Sequence, residues 1–110
     1  MKISLSDERL HDKGAFTARF YIERKERSDF NALIVDCVTS HYKTKLKGAV
    51  RIYLVIEGSG TFTINGKKEE AHRYDLFVIS DGDIYEYEGQ IKLFEFNIPA
   101  TDSHNEEKIS

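Results

Sequence analysis

Two short stretches of this chain carry polar side chains at a spacing that suits ligand chemistry. From Arg51 to Val55, alternate residues put a guanidinium, the phenol of Tyr53 and an apolar side chain on one face of a strand. Tyr85 and Tyr87 likewise share a face. A guanidinium grips carboxylate or phosphate through paired hydrogen bonds. Tyrosine rings stack on sugars or other rings, and their hydroxyls donate hydrogen bonds. Arg51, Tyr53, Tyr85 and Tyr87 are therefore candidates for binding a small polar, anionic or sugar-like ligand. The competing reading is structural. Arg51 then pairs with Glu57, Glu86 or Glu95, and the tyrosines, which are good strand formers, fill a core.

The chain has four histidines, His11, His41, His72 and His104. His104 belongs to a polar C-terminal stretch and His11 to an ambiguous N-terminal one, so both are read as exposed. Histidine as a residue type titrates near neutrality, so His41 and His72 suit acid–base work, with Tyr85 as partner, or an off-pattern metal pair. Two ordinary surface or edge histidines are the alternative. Their separation supplies no ligand spacing. Cys37 is the single cysteine and lies in an apolar run, where it reads as an inert core residue; it offers neither a disulfide framework nor a thiolate cluster.

The elements that must position these residues have a period close to two almost throughout. Strands are expected over 16–22, 31–38, 51–57, 61–64, 67–71, 75–79, 84–87 and 91–98, with a polar, lysine-rich segment at 40–47. Strand 31–38 is apolar on both faces and so reads as central. Asn65-Gly66 is a strong hairpin signal. Glu57-Gly58-Ser59-Gly60, Ser80-Asp81-Gly82-Asp83 and Glu88-Gly89-Gln90 are read as turns, with Gly58, Gly60, Gly66, Gly82 and Gly89 as turn residues. Ser6 to Arg9 is able to open one helical turn. Lys43, Lys45 and Lys47 alternate and read as a solvated edge. Pro99 closes the last strand, leaving a core of about 16–99 and a mobile polar tail at 100–110. No segment has a helical period, so the fold is all-β, a sandwich or barrel.

At 110 residues the chain fits one domain. A net charge of −3 favours neither nucleic acid nor an anionic membrane surface as partner. No apolar run is long enough to span a bilayer and no apolar signal core follows Met1-Lys2, so a soluble cytoplasmic protein is expected.

The order of these elements resembles a cupin, a small antiparallel jelly-roll barrel. Two motifs carry the resemblance, which covers roughly 31–99. Gly58 sits where the first motif closes on glycine. At the family's spacing its glutamate falls at Arg51, and its two histidines fall at Lys45 and Lys47, or at Thr44 and Leu46. In the second motif, 75–79 resembles the family's Gly-Asp-x-x-x-Ile strand, with Tyr74 in place of the glycine. Ser80 replaces the proline, Gly82 matches the turn glycine, Tyr85 takes the histidine position and Gly89 the asparagine. The scaffold positions match and the four metal-ligand positions do not, so the expectation is no metal and no cofactor. The resemblance implies a homodimer formed through an outer sheet. It also leaves three roles open: binding of a small polar ligand in the barrel without catalysis, metal-independent sugar epimerase or isomerase chemistry by tyrosine and histidine, and a ligand-sensing or protein-interaction module.

Overall fold

The computed structural model describes all 110 residues. Nine strands form one curled antiparallel sheet: β1 Leu10–Asp12, β2 Phe16–Ile22, β3 Asn31–Cys37, β4 Ser40–Leu46, β5 Val50–Ile64, β6 Lys67–Ala71, β7 Leu76–Ile79, β8 Ile84–Ile98 and β9 Glu106–Lys108. Two single turns of 3-10 helix, Asp7–Arg9 and Ser103–Asn105, complete the chain. No helix is long and apolar enough to cross a membrane.

The long strands β5 and β8 pair along almost their whole length, from Val50↔Ile98 to Ile64↔Tyr85. Around this ribbon the order β1-β2-β3-β8-β4-β9 extends one way, and β6 and β7 pair with the two halves of β5. The sheet curls into the jelly-roll barrel that the strand pattern predicts. Alternation then sorts the side chains. Arg51, Tyr53 and Val55 of β5, Tyr85, Tyr87, Leu93, Glu95 and Asn97 of β8, and Phe77 and Ile79 of β7 are buried inside. β3 lies between β2 and β8, central as expected. The lower barrel is packed: Phe62 and Phe77 stack with centroids 4.2 Å apart, and Tyr53 sits against Phe62 at 5.5 Å.

Three differences from the sequence reading bear on the site. First, 57–60 and 88–90 are not turns. Both run straight through β5 and β8, which face each other there: Gly58 opposes Ile91 and Gly60 opposes Gly89. Ile56 is an extra residue that bends β5. A Cβ on Gly58 would lie 2.1 Å from the Gln90 carbonyl oxygen, and one on Gly60 2.1 Å from that of Glu88. Glycine is needed here because two backbones pass closely, whereas Gly66 and Gly82 do serve turns. Second, 40–46 is a strand, with a register shift between His41 and Thr44 that turns His41 inward.

Third, the expected polar tail at 100–110 is docked. Ala100 and Thr101 are buried. Thr101 and Asn31 exchange hydrogen bonds, the Thr101 N–H donating to Asn31 Oδ1 and Asn31 Nδ2 to the Thr101 carbonyl, both at 3.2 Å. Asp102 and Asn105 cap the second 3-10 turn reciprocally. β9 then pairs with β4. The segment looks solvated because its residues are polar, but they answer buried polar groups elsewhere in the barrel.

Candidate functional site

One end of the barrel stays open as a cavity of about 610 Å³, within the range of small-molecule sites. Its deep lining comes from Phe16 of β2, Leu33 and Val35 of β3, His41 and Tyr42 of β4, Arg51 of β5, and Tyr87 and Glu95 of β8. Thr101, Asp102, Ser103 and Glu106 close one side, and His11, Lys13, Arg24 and Lys25 stand at the mouth.

Arg51 is 2% exposed and is the hub of the buried polar groups. Its Nε donates to Asn97 Oδ1 at 2.6 Å and lies 3.2 Å from Glu95 Oε2. Nη1 donates to the Tyr85 hydroxyl at 2.7 Å and to Glu106 Oε1 at 2.6 Å, and Nη2 donates to Thr101 Oγ1 at 3.0 Å. Burial by itself lowers the Arg51 pKa, but Glu95, the Tyr85 and Tyr53 phenols and Glu106 outweigh it and hold the guanidinium well above its usual range. Four of its five N–H donors are used inside the protein. The ion pair with Glu95 is the structural pairing weighed from sequence. Glu106, the stronger contact, comes from the segment read as a tail.

The tyrosines divide. Tyr85 is spent: its hydroxyl receives Arg51 and meets the Tyr53 hydroxyl at 2.9 Å. Burial pushes its pKa up to about 12, against the opposing pull of Arg51. Tyr53 is fully buried beneath it and held well above the phenol range, chiefly by burial. Tyr87 is 2% exposed, lines the cavity, and has the one sealed hydroxyl in the protein without a hydrogen-bond partner.

His41 is 6% exposed and packed among Phe16, Tyr42, Tyr85 and Tyr87, with ring centroids 4.3–5.6 Å away. Its Nδ1 lies 2.7 Å from the Tyr42 carbonyl oxygen. A carbonyl only accepts, so Nδ1 carries the proton and Nε2 presents a lone pair. Nε2 has no protein partner, yet it is not sealed as the Tyr87 hydroxyl is. Burial lowers the His41 pKa below its ordinary 6.5, so the ring is neutral at pH 7 and able to act as a base.

Of the two histidines proposed from sequence, only His41 reaches the cavity. His72 lies on the surface with its side chain 64% exposed, 3.8 Å from Asp75 and 3.9 Å from Glu70. The pairing of His72 with Tyr85 is thereby excluded, because one is outside and the other is locked to Arg51. His11 borders the mouth, partly exposed and bonded to Glu23 at 2.9 Å, and His104 is 90% exposed. Sequence reasoning missed Glu106, Thr101, Asn97 and Phe16. Asn97 was visible as the next inward step after Glu95, but nothing local marks Glu106. Cys37 is buried and its thiol pushed up by burial, in keeping with an inert core residue.

The residues at the family's metal position do not fit a resident divalent cation. The glutamate position holds the buried cation Arg51, the inward residues of β4 there are Thr44 and Leu46, and Tyr85 fills the histidine position of the second motif. No group of three or more His, Cys, Asp or Glu side chains is placed to hold a metal.

No protein-family model and no curated protein sequence matches the chain. Solved structures do match it. A histidine-to-glutamine variant of Pac13 from Streptomyces, with uridine, superposes with a TM-score of 0.87 at 17% identity, over 100% of this chain and 92% of that one. Pac13 is described as a nucleoside dehydratase, and two tyrosine-to-phenylalanine variants of it were also solved with uridine. Ectoine synthase from P. lautus has a TM-score of 0.77 at 12% identity, over 93% of this chain and 81% of that one. The cupin domain of Cnp3 from Schizosaccharomyces pombe has a TM-score of 0.67 at 19% identity, over 86% of this chain and 69% of that one. Strand order, barrel and these likenesses agree: the chain is a small protein of the cupin fold.

Proposed function

We propose that this protein binds a small hydroxylated ligand, of sugar or nucleoside type, in the open end of its barrel. The observation that carries the reading is a cavity of about 610 Å³ into which a nine-tenths-buried His41 presents an unpartnered Nε2, beside the ring of Tyr87 with centroids 4.9 Å apart. Phe16 and Tyr42 add aromatic walls on which a ring can stack. A nucleoside in the structurally similar dehydratase lends support. Calorimetric titration with uridine, ribose and glucose tests it. Binding of one of them, weakened at least tenfold by His41→Gln, is expected; no binding to the intact protein at millimolar concentration overturns it.

A second reading is an acid–base enzyme, favoured by the neutral His41 with its tautomer set by the Tyr42 carbonyl. His41 is then the base; Tyr85, locked to Arg51, is not free to be its acid. Deuterium appearing from D2O at a carbon next to a carbonyl of a bound ketose, and absent with His41→Gln, supports catalysis. Binding without exchange leaves the plain binding role.

The homodimer is also a proposal. Ile52 and Leu54 of β5, Leu76 and Val78 of β7, and Phe94 and Phe96 of β8 stand in register on the outer face of the sheet. Leu76 is 58% and Val78 50% exposed. A face of this kind, with no charge among these six, is complementary to its own copy about a two-fold axis.

A further inference from the structure

The free hydrogen-bonding atoms at the deep end of the cavity are almost all acceptors. Glu95 uses Oε2 for Asn97 and Arg51, and its Oε1 has no protein partner. Glu106 uses Oε1 for Arg51, and its Oε2 has none. His41 Nε2 is a third acceptor, since Nδ1 holds the proton. Arg51, the cation that the sequence offered as an anion receptor, keeps a single N–H to spare. The charges agree with this count. Two carboxylates face one guanidinium, a surplus of one negative charge among groups that are 2%, 7% and, for the Glu106 side chain, 24% exposed. At the mouth, Lys25 pairs with Glu23 and Arg24 with Asp102, leaving only Lys13 without an ion pair.

We infer that the deep end selects ligands presenting hydrogen-bond donors, hydroxyl or protonated amine, to Glu95 and Glu106, and rejects a carboxylate or phosphate there. Glu106, contributed by the C-terminal strand, is on this account a specificity-determining residue. The physical cause is desolvation: a ligand anion entering a site with surplus negative charge loses its water and gains no counter-charge. An ammonium or a pair of hydroxyls replaces its water with charge-assisted acceptors. The inference rests on the cavity reading above and adds that the deep end excludes an anionic group on such a ligand.

The test compares matched probes that differ in one group: glucose, glucosamine and glucuronate, and uridine, 5′-amino-5′-deoxyuridine and uridine 5′-carboxylate. Affinities are measured by calorimetry on the full chain. The neutral and amino members are expected to bind at least tenfold more tightly than the carboxylate of the same series. Glu106→Gln, with folding checked by circular dichroism, should shrink that ratio toward unity; Glu95→Gln is a second variant with the same expected direction. Carboxylates that bind as tightly as their partners, or a ratio that neither variant changes, overturn the inference and leave the cavity reading intact. Failure of all six probes to bind overturns the cavity reading and this inference with it.

Discussion

Replacing Arg51 with Met keeps an unbranched apolar stem out to the ε position and removes the charged fork. The structure sets the size of the effect. Glu95 and Glu106 lose their common cation, and Asn97 Oδ1, Thr101 Oγ1 and the Tyr85 hydroxyl lose a donor. Glu95 is 7% exposed and has little access to water in compensation. Breaking a buried ion pair from one side costs about 3–5 kcal/mol. Against a total stability of about 5–15 kcal/mol for a domain, that is a large share. At about 4–5 °C per kcal/mol for a chain of this size, Tm should fall by about 12–25 °C. Thermal and urea unfolding followed by circular dichroism at pH 7 measure it. The triple variant with Glu95→Gln and Glu106→Gln as well should recover part of the loss, because the stranded charges are gone. A single-variant loss below about 1 kcal/mol would show that Arg51 is not the hub and would refute the reasoning.

Four further outcomes follow from the same geometry. Tyr87→Phe removes a sealed, unpartnered hydroxyl, so stability should be unchanged or rise by up to about 1 kcal/mol while uridine affinity holds; a stability loss above about 1 kcal/mol would mean the hydroxyl is paired. His41 has a folded-state pKa below 6.5, so the unfolded chain binds more protons there and stability should fall as pH drops from about 6.5, with a slope of up to about 1.4 kcal/mol per unit; unfolding curves from pH 7 to pH 4.5 should show the slope reduced in His41→Gln. Gly58→Ala places a Cβ 2.1 Å from the Gln90 carbonyl oxygen at a φ of +84° and should cost about 3 kcal/mol or more, whereas Gly66→Ala, with open space around it, should cost only about 1 kcal/mol; equal costs would count against the close passage of β5 and β8. Val78→Lys on the outer face should yield monomers in light scattering while the native protein runs as a dimer, and a monomeric native protein would remove the self-association proposal.

The barrel was legible because its strands alternate. β2 begins and ends where the pattern puts it, and the inward set of Arg51, Tyr53, Tyr85 and Tyr87 follows from period two alone. The glycines misled, because a close backbone passage and a turn use the same residue for different reasons. Gly58 and Gly60 looked like a loop and are the middle of a fifteen-residue strand. His41 was seen as a candidate, but its orientation was hidden by the irregular register of β4, which no local pattern announces. Glu106 was invisible for a plainer reason: it is a charged residue in a charged segment, and its meaning lies in Arg51, distant in sequence and 2.6 Å away in space. The anion receptor that the sequence offered thus became an internal hub once its partners were known, and the atoms left for a ligand are those of His41, Glu95 and Glu106.

The most direct test is a crystal structure of the protein soaked with uridine and, separately, with glucosamine. The account predicts ligand density inside the barrel mouth, with a hydroxyl or amine within about 3.2 Å of His41 Nε2 and of Glu95 Oε1 or Glu106 Oε2. Ligand bound only elsewhere on the surface, with ordered water filling the cavity, would contradict it.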